Sequence, residues 1–230
     1  MEGKQEEKIG IRKWWIKNLI FIGLAGTLLF LTSGKINWVM GWSYLGAAFL
    51  IVIANAIAMD PTLLIERSEL QEGTKKWDTA LATFVAIIGP LSLLIVAGLD
   101  IRFGWSQLSR SLLQILALAI FVLGAFLGTW AMAANKFFSS TVRIQEERQH
   151  QVVTGGPYQY VRHPGYGGAI ISILATPVAL GSWFGLLPGA LVAIGYILRT
   201  VLEDRVLVEE LGGYKDYARK VRYRLFPMIW

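Results

Sequence analysis

The stretch Pro164-Gly-Tyr-Gly-Gly-Ala-Ile-Ile-Ser-Ile-Leu-Ala-Thr-Pro-Val-Ala-Leu-Gly181-Ser-Trp183-Phe-Gly-Leu-Leu-Pro-Gly-Ala-Leu-Val-Ala-Ile-Gly-Tyr-Ile-Leu198 carries no charged side chain over 35 residues. A helix needs ~20 apolar residues to cross ~30 Å of hydrocarbon, whereas this run would extend about 52 Å as one helix. One ordinary span does not use that length. Gly181-Ser182-Trp183 falls at its middle, where a glycine-led turn is the expected break. The run therefore reads as a hairpin of two short helices over about 164–201. A single strongly tilted helix or a re-entrant pair is the alternative, because tilt absorbs length.

Working outward, four more uncharged runs cover 18–34, 36–59, 79–99 and 111–135. The first reaches back to about 14 if Trp14 and Trp15 lie in the interface and the Lys17 head snorkels. It is longer than the core of a signal peptide and is read as a span. The expected fold is an all-α integral membrane protein of about six transmembrane helices. Residues 1–135 form a scaffold of spans (about 14–34, 36–59, 79–99 and 111–135). Residues 136–230 form a second unit, made of a loop at 140–166, the hairpin and a C-terminal segment at 202–230.

Composition agrees. Hydrophobic residues make up 54% and charged residues only 17%, against ~25% charged in a soluble domain. The net charge of +6 is explained by topology rather than by nucleic acid. On the six-span reading, 19 of the 22 Lys and Arg residues fall on one side, leaving Lys35, Arg102 and Arg110 on the other. The positive-inside rule then places both termini in the cytoplasm. No cysteine and only two histidines, His150 and His163, are present, so thiolate chemistry is excluded and no metal site is expected. The spans hold no ionisable residue between their flanking charges, which disfavours a transporter or channel. The loop at 60–78, with Glu66, Arg67, Glu69, Glu72, Lys75 and Lys76, reads as a solvated, part-helical connector without assigned chemistry.

Polar information concentrates in two segments. In the first, Val152 and Val153 suggest a short extended piece, Gly155-Gly156-Pro157 a turn, and Pro164 a helix start. Arg162 and His163 then sit at the mouth of span five, beside glycines 165, 167 and 168 that permit close approach. In the second, Arg199 and Glu203 lie i and i+4 on one helix face where span six leaves the bilayer. The hairpin brings both sets to one mouth. Taken singly, each residue also has a plain role: Arg162 as an interfacial anchor, Glu203 as a partner of Arg199, and Tyr158, Tyr160 and Tyr166 as an aromatic belt.

Taken together, Gly-Pro-Tyr158-x-x-x-Arg162-His163-Pro164-x-Tyr166-x-Gly168, then Arg199-x-x-x-Glu203 and Leu-Gly-x-Tyr-x-x-Tyr217, resembles the isoprenylcysteine carboxyl methyltransferase family. Gln145, His150-x-Val-Val and the closing Val221-Arg-Tyr-Arg-Leu-Phe-Pro227-Met-Ile-Trp230 add to the resemblance, which covers roughly residues 140–230. It implies an S-adenosylmethionine-dependent methyltransferase whose cofactor site lies outside a Rossmann fold, consistent with the lack of a G-x-G-x-x-G. The cofactor pocket would be lined by Gln145, His150, Gln151, Val152, Val153, Tyr158, His163, Pro164, Gly165, Tyr166 and Glu203. Arg199 would orient an acceptor carboxylate, and Arg162 would help neutralise it. Arg199, Glu203 and Arg162 are thus the implied catalytic residues. One departure stands out. Where family members often carry a run of glutamates, this chain has Val201-Leu202-Glu203-Asp204, which leaves open whether Glu203 or Asp204 holds the cofactor.

The implied partners are the bilayer and a lipophilic acceptor, with methyl transfer at a cytoplasm-facing site in the cell membrane. Two alternatives share the signature. One is methylation of a phospholipid or small thiol. The other is an NADPH-dependent membrane sterol or lipid reductase, against which Leu202-Glu203-Asp204 replaces the Arg-Asp-Glu that such reductases tend to show.

Overall fold

A computed structural model describes residues 2–69, 73–106 and 111–230. Glu72 and Arg110 lie outside the described residues. The described chain is all helical: α1 Glu2–Ser33, α2 Val39–Ala58, α3 Pro61–Glu66, α4 Lys76–Thr83, α5 Gly89–Phe103, α6 Ser111–Ala134, α7 Pro164–Ala179, α8 Leu186–Glu210 and α9 Tyr214–Lys220. A single wide turn over Phe84–Ile88 joins α4 to α5. The Gly89 N–H reaches Phe84 O, five residues back, and the next residue, Pro90, has no N–H to give to the turn behind it.

Five helical rods are long and apolar enough to cross a membrane: α1 from Glu7, α2, α4–α5 together, α6 and α8. The other hairpin arm, α7, has 16 residues, about 24 Å of helix. The turn between α7 and α8 falls where Gly181-Ser182-Trp183 predicts it. Ile57, Leu112, Leu123 and Leu187 remain 68–80% exposed. Each such side chain would cost about 1.5–3 kcal/mol in water relative to burial, so these surfaces face lipid.

Two boundaries differ from expectation. α5 continues past residue 99, so Asp100 sits inside a helix near the end remote from the charged loops. Asp100 is buried and accepts from the Ser106 N–H at 2.7 Å, from Ser182 Oγ at 2.5 Å and from Ser106 Oγ. These bonds pin the hairpin turn to α5. α8 likewise runs to Glu210 without a break, placing Glu203 and Asp204 on the hairpin helix itself.

Close packing fixes α7. A Cβ on Gly168 would come within 2.4 Å of Gly124 O, and one on Gly124 within 2.7 Å of Gly168 O. Only glycine at both positions lets α6 and α7 touch backbone to backbone. The C-terminal segment folds back beneath them. The Arg162 N–H donates to Tyr223 O at 3.0 Å and the His163 N–H to Arg224 O at 2.8 Å, while Leu225 packs with Ile170 and Ala193.

Candidate functional site

A pocket opens where the loop after α6, the start of α7, the end of α8 and α9 meet. Counting the open solvent at its mouth, the space between its walls is about 770 Å³. Of the expected residues, His150, Gln151, Val152, Val153 and Tyr158 line it from the loop. Arg162, His163, Gly165, Tyr166 and Glu203 line it from the hairpin. Gln145, Pro164 and Arg199 do not.

The hairpin explains the centre of the site. Tyr166, in the first turn of α7, donates its hydroxyl to Glu203 Oε2 at 2.5 Å. Its ring stacks on His163 with centroids 5.8 Å apart and planes 5° from parallel. The Arg199 guanidinium covers the Tyr166 ring at 5.2 Å, one helical turn from Glu203 as the i, i+4 spacing requires.

Glu203 and Asp204 separate cleanly. Glu203 faces the pocket, whereas Asp204 lies behind it as a hub. Asp204 accepts from Arg162 Nε at 2.8 Å and Nη2 at 2.9 Å, from Arg224 Nε at 3.0 Å and from the Tyr214 hydroxyl at 2.9 Å. His163 Nε2 is 3.3 Å away. Burial and the Asp204 carboxylate push the Tyr214 phenol well above its usual range, keeping it a donor.

That hub corrects the reading of Arg162. Its Nη1 also donates to Val221 O at 2.9 Å and Arg222 O at 3.0 Å. Every edge of the guanidinium is thus engaged, and its charge is compensated by Asp204. Arg162 ties the C-terminal segment to the pocket rather than meeting an acceptor.

Arg199 also differs from expectation. Its Nε and Nη2 donate to the two Asp78 oxygens at 2.7 and 2.9 Å, and Nη2 donates to Ser140 O at 2.8 Å. The two-pronged edge foreseen for an acceptor is therefore held by Asp78, which is fully buried and also accepts the Val142 N–H at 2.6 Å. Sequence reasoning missed Asp78 because it closed a loop given no chemistry. The available signal was an acidic residue opening a span, since a carboxylate at membrane depth calls for a cationic partner.

The same connector supplies Glu66, buried with Arg143 through bonds of 3.0 and 2.9 Å. Among the described residues, three buried two-pronged pairs thus brace the pocket: Arg143–Glu66, Arg162–Asp204 and Arg199–Asp78.

Gln145 is a brace too. Fully buried, it donates Nε2 to Phe137 O at 2.7 Å and accepts from Arg148 Nη1 at 2.7 Å. Its backbone N–H points at His150 Nδ1, 3.4 Å away, and His150 lies on the Phe137 ring with centroids 4.6 Å apart. Burial, then Arg143 and Arg148, hold His150 below its usual value. Pro164 is buried and opens α7, as its missing N–H favours.

Beyond His150 the loop has no regular secondary structure and is unpaired. Among the described residues, no hydrogen bond engages the backbone of Val152 or Val153. The pocket therefore combines a free backbone edge, apolar walls from Val142, Leu207 and Leu211, and one carboxylate, Glu203. Such a donor and acceptor set fits a nucleoside carrying amine and hydroxyl groups.

Comparison with known proteins points the same way. Residues 112–213 match the phospholipid methyltransferase family. Protein-S-isoprenylcysteine O-methyltransferase of Schizosaccharomyces pombe is 37% identical over 114 residues, 48% of each chain. That of Saccharomyces cerevisiae is 31% identical over 130 residues, 53% of this chain and 52% of the relative. A probable protein-S-isoprenylcysteine O-methyltransferase of Oryza sativa subsp. indica is 31% identical over 100 residues, 43% of this chain and 52% of the relative. The chain spans about half the length of the curated relatives it matches. The segment that builds the pocket, residues 112–213, is thus similar in sequence to the phospholipid methyltransferase family, and the chain is similar over about half its length to these isoprenylcysteine O-methyltransferases.

Proposed function

We propose that this protein transfers a methyl group from S-adenosylmethionine to a carboxylate on a lipophilic, isoprenylcysteine-like acceptor at the cytoplasmic membrane surface. The observation that carries the reading is Glu203 meeting Tyr166 in a pocket edged by the unpaired Val152–Val153 backbone. Glu203 would hold an amine or ribose hydroxyls of the cofactor, and the valine backbone would hold its base. His163, Gly165 and Tyr158 would close the walls. When bound, the cofactor supplies a methyl on a sulfonium, a leaving group that needs no proton.

A carboxylate acceptor is already deprotonated, so no general base is required. The protein aligns the two reactants, excludes water and places charge. The positive-inside distribution supports a cytoplasmic pocket with both termini on that side.

Calorimetry on the detergent-purified protein tests the reading. S-adenosylhomocysteine is expected to bind in the micromolar range and to be weakened in Glu203→Gln. Binding of NADPH alone would instead support the reductase. Methylation of phosphatidylethanolamine but not of a prenylcysteine would move the acceptor to a phospholipid amine, the reading favoured by the family matched at 112–213.

A further inference from the structure

Arg143, Arg162 and Arg199 each give a two-pronged edge to a buried carboxylate. Arg67 does not. It follows α3 directly, is partly buried, and lies over the Phe138 ring at 5.3 Å with Nη1 3.4 Å from Ser139 O. Among the described residues it forms no ion pair. Its neighbour Glu66 faces Arg143 and Ser139 Oγ.

Position makes this cation unusual. Arg67 and Arg199 dock on consecutive carbonyls, Ser139 O and Ser140 O. Arg67 is also within electrostatic reach of Tyr166, Tyr196, Glu66 and Lys17, although it shares no hydrogen bond with the Glu66 carboxylate. Tyr166 belongs to both neighbourhoods, bonding Glu203 at the pocket, stacking under Arg199 and lying within electrostatic reach of Arg67. Burial and the Arg199 charge disfavour the Arg67 cation more than Tyr166, Tyr196 and Glu66 favour it, yet it stays protonated because guanidinium is so basic. A desolvated cation without a bonded counter-ion is unfavourable, and an arriving anion relieves it.

We infer that Arg67, with Arg199 behind it, receives the carboxylate of the methyl acceptor and selects anionic acceptors over amines. The inference rests on the methyltransferase reading for its reaction. There, a carboxylate oxygen lone pair forms the new C–O bond as the C–S bond breaks, and the sulfur keeps that electron pair. An amine acceptor would meet Lys17, Arg67 and Arg199 as like charges when protonated.

The test titrates N-acetyl-S-farnesylcysteine and its neutral carboxamide into wild type, Arg67→Gln and Arg67→Lys. Unfolding temperature and S-adenosylhomocysteine binding are followed alongside as checks on folding. Arg67→Gln is expected to weaken the acid by about 10–100-fold, the scale of a lost charge-assisted bond. The carboxamide should be unaffected, S-adenosylhomocysteine should bind as before, and Arg67→Lys should recover part of the loss. Unchanged acid affinity, or equal losses for acid and carboxamide, would overturn the assignment. So would retention of dioleoylphosphatidylglycerol, by native mass spectrometry, that depends on Arg67 while acid binding does not. Arg67-dependent acid binding in a protein that ignores S-adenosylhomocysteine would keep the anion site and discard methyl transfer.

Discussion

Arg199 on α8 and Asp78 on α4 form a parallel pair of hydrogen bonds, 2.7 and 2.9 Å, across 121 residues of chain. Asp78 has no solvent exposure, and its second oxygen also holds the Val142 N–H. One carboxylate therefore joins the third membrane rod, the loop at the pocket and the helix bearing Glu203. Asp78→Ala is expected to cost about 3–5 kcal/mol, because it leaves Arg199 buried and unpaired. Asp78→Ala combined with Arg199→Leu should regain part of that loss. Thermal unfolding in detergent reads both.

The adjacent carboxylates predict opposite phenotypes. Glu203→Gln should weaken S-adenosylhomocysteine while leaving the unfolding temperature close to wild type. Asp204→Asn removes the counter-charge of Arg162 and an acceptor of Tyr214, and should destabilise by about 3–5 kcal/mol. Parallel calorimetry and thermal melts separate the two. Loss of stability in Glu203→Gln alone would contradict the assignment.

His150 makes the loop sensitive to acid. Its folded value is depressed by burial and by Arg143 and Arg148, with Glu147 opposing. A depressed value means that the stabilisation is complete above the unfolded value of ~6.5. It is lost as pH falls through the folded value. The unfolding temperature should fall as pH drops below ~6.5, and His150→Gln should reduce that dependence.

Gly168 tests the α6–α7 contact. A single methyl there meets the Gly124 carbonyl at 2.4 Å, and backbone cannot give way as a flexible side chain can. Gly168→Ala should cost about 1–3 kcal/mol or more by overpacking. Gly128→Ala on α6, where nothing lies within 4 Å of a new Cβ, should be near neutral. Monodispersity on size exclusion, together with the melt, distinguishes them.

Hydropathy located the helices because lipid enforces long uncharged runs, and a glycine-led break inside one run was enough to find the hairpin. The i, i+4 spacing also put Arg199 and Glu203 on one face correctly. Partners were a different matter. Asp78 and Arg199, or Glu66 and Arg143, are 121 and 77 residues apart, and nothing local couples them. Arg162 was misread for the same reason, since its acceptors include carbonyls of the last ten residues. Gln145 matched the motif, but its role as a brace depends on Phe137 and Arg148 folding around it. Spacing along one helix can be read directly, whereas charge pairing between segments needs coordinates.

The brevity of α7 has a consequence for the surrounding lipid. At 16 residues, its rod falls about 6 Å short of an average hydrocarbon layer. The bilayer relieves such mismatch by thinning locally, at fractions of a kcal/mol per ångström. Headgroups would then dip toward Tyr166 and Glu203, so a prenyl tail could stay in acyl chains while its polar end reached them. Turnover in vesicles should accordingly decline as acyl chains lengthen, since thicker membranes resist the dimple.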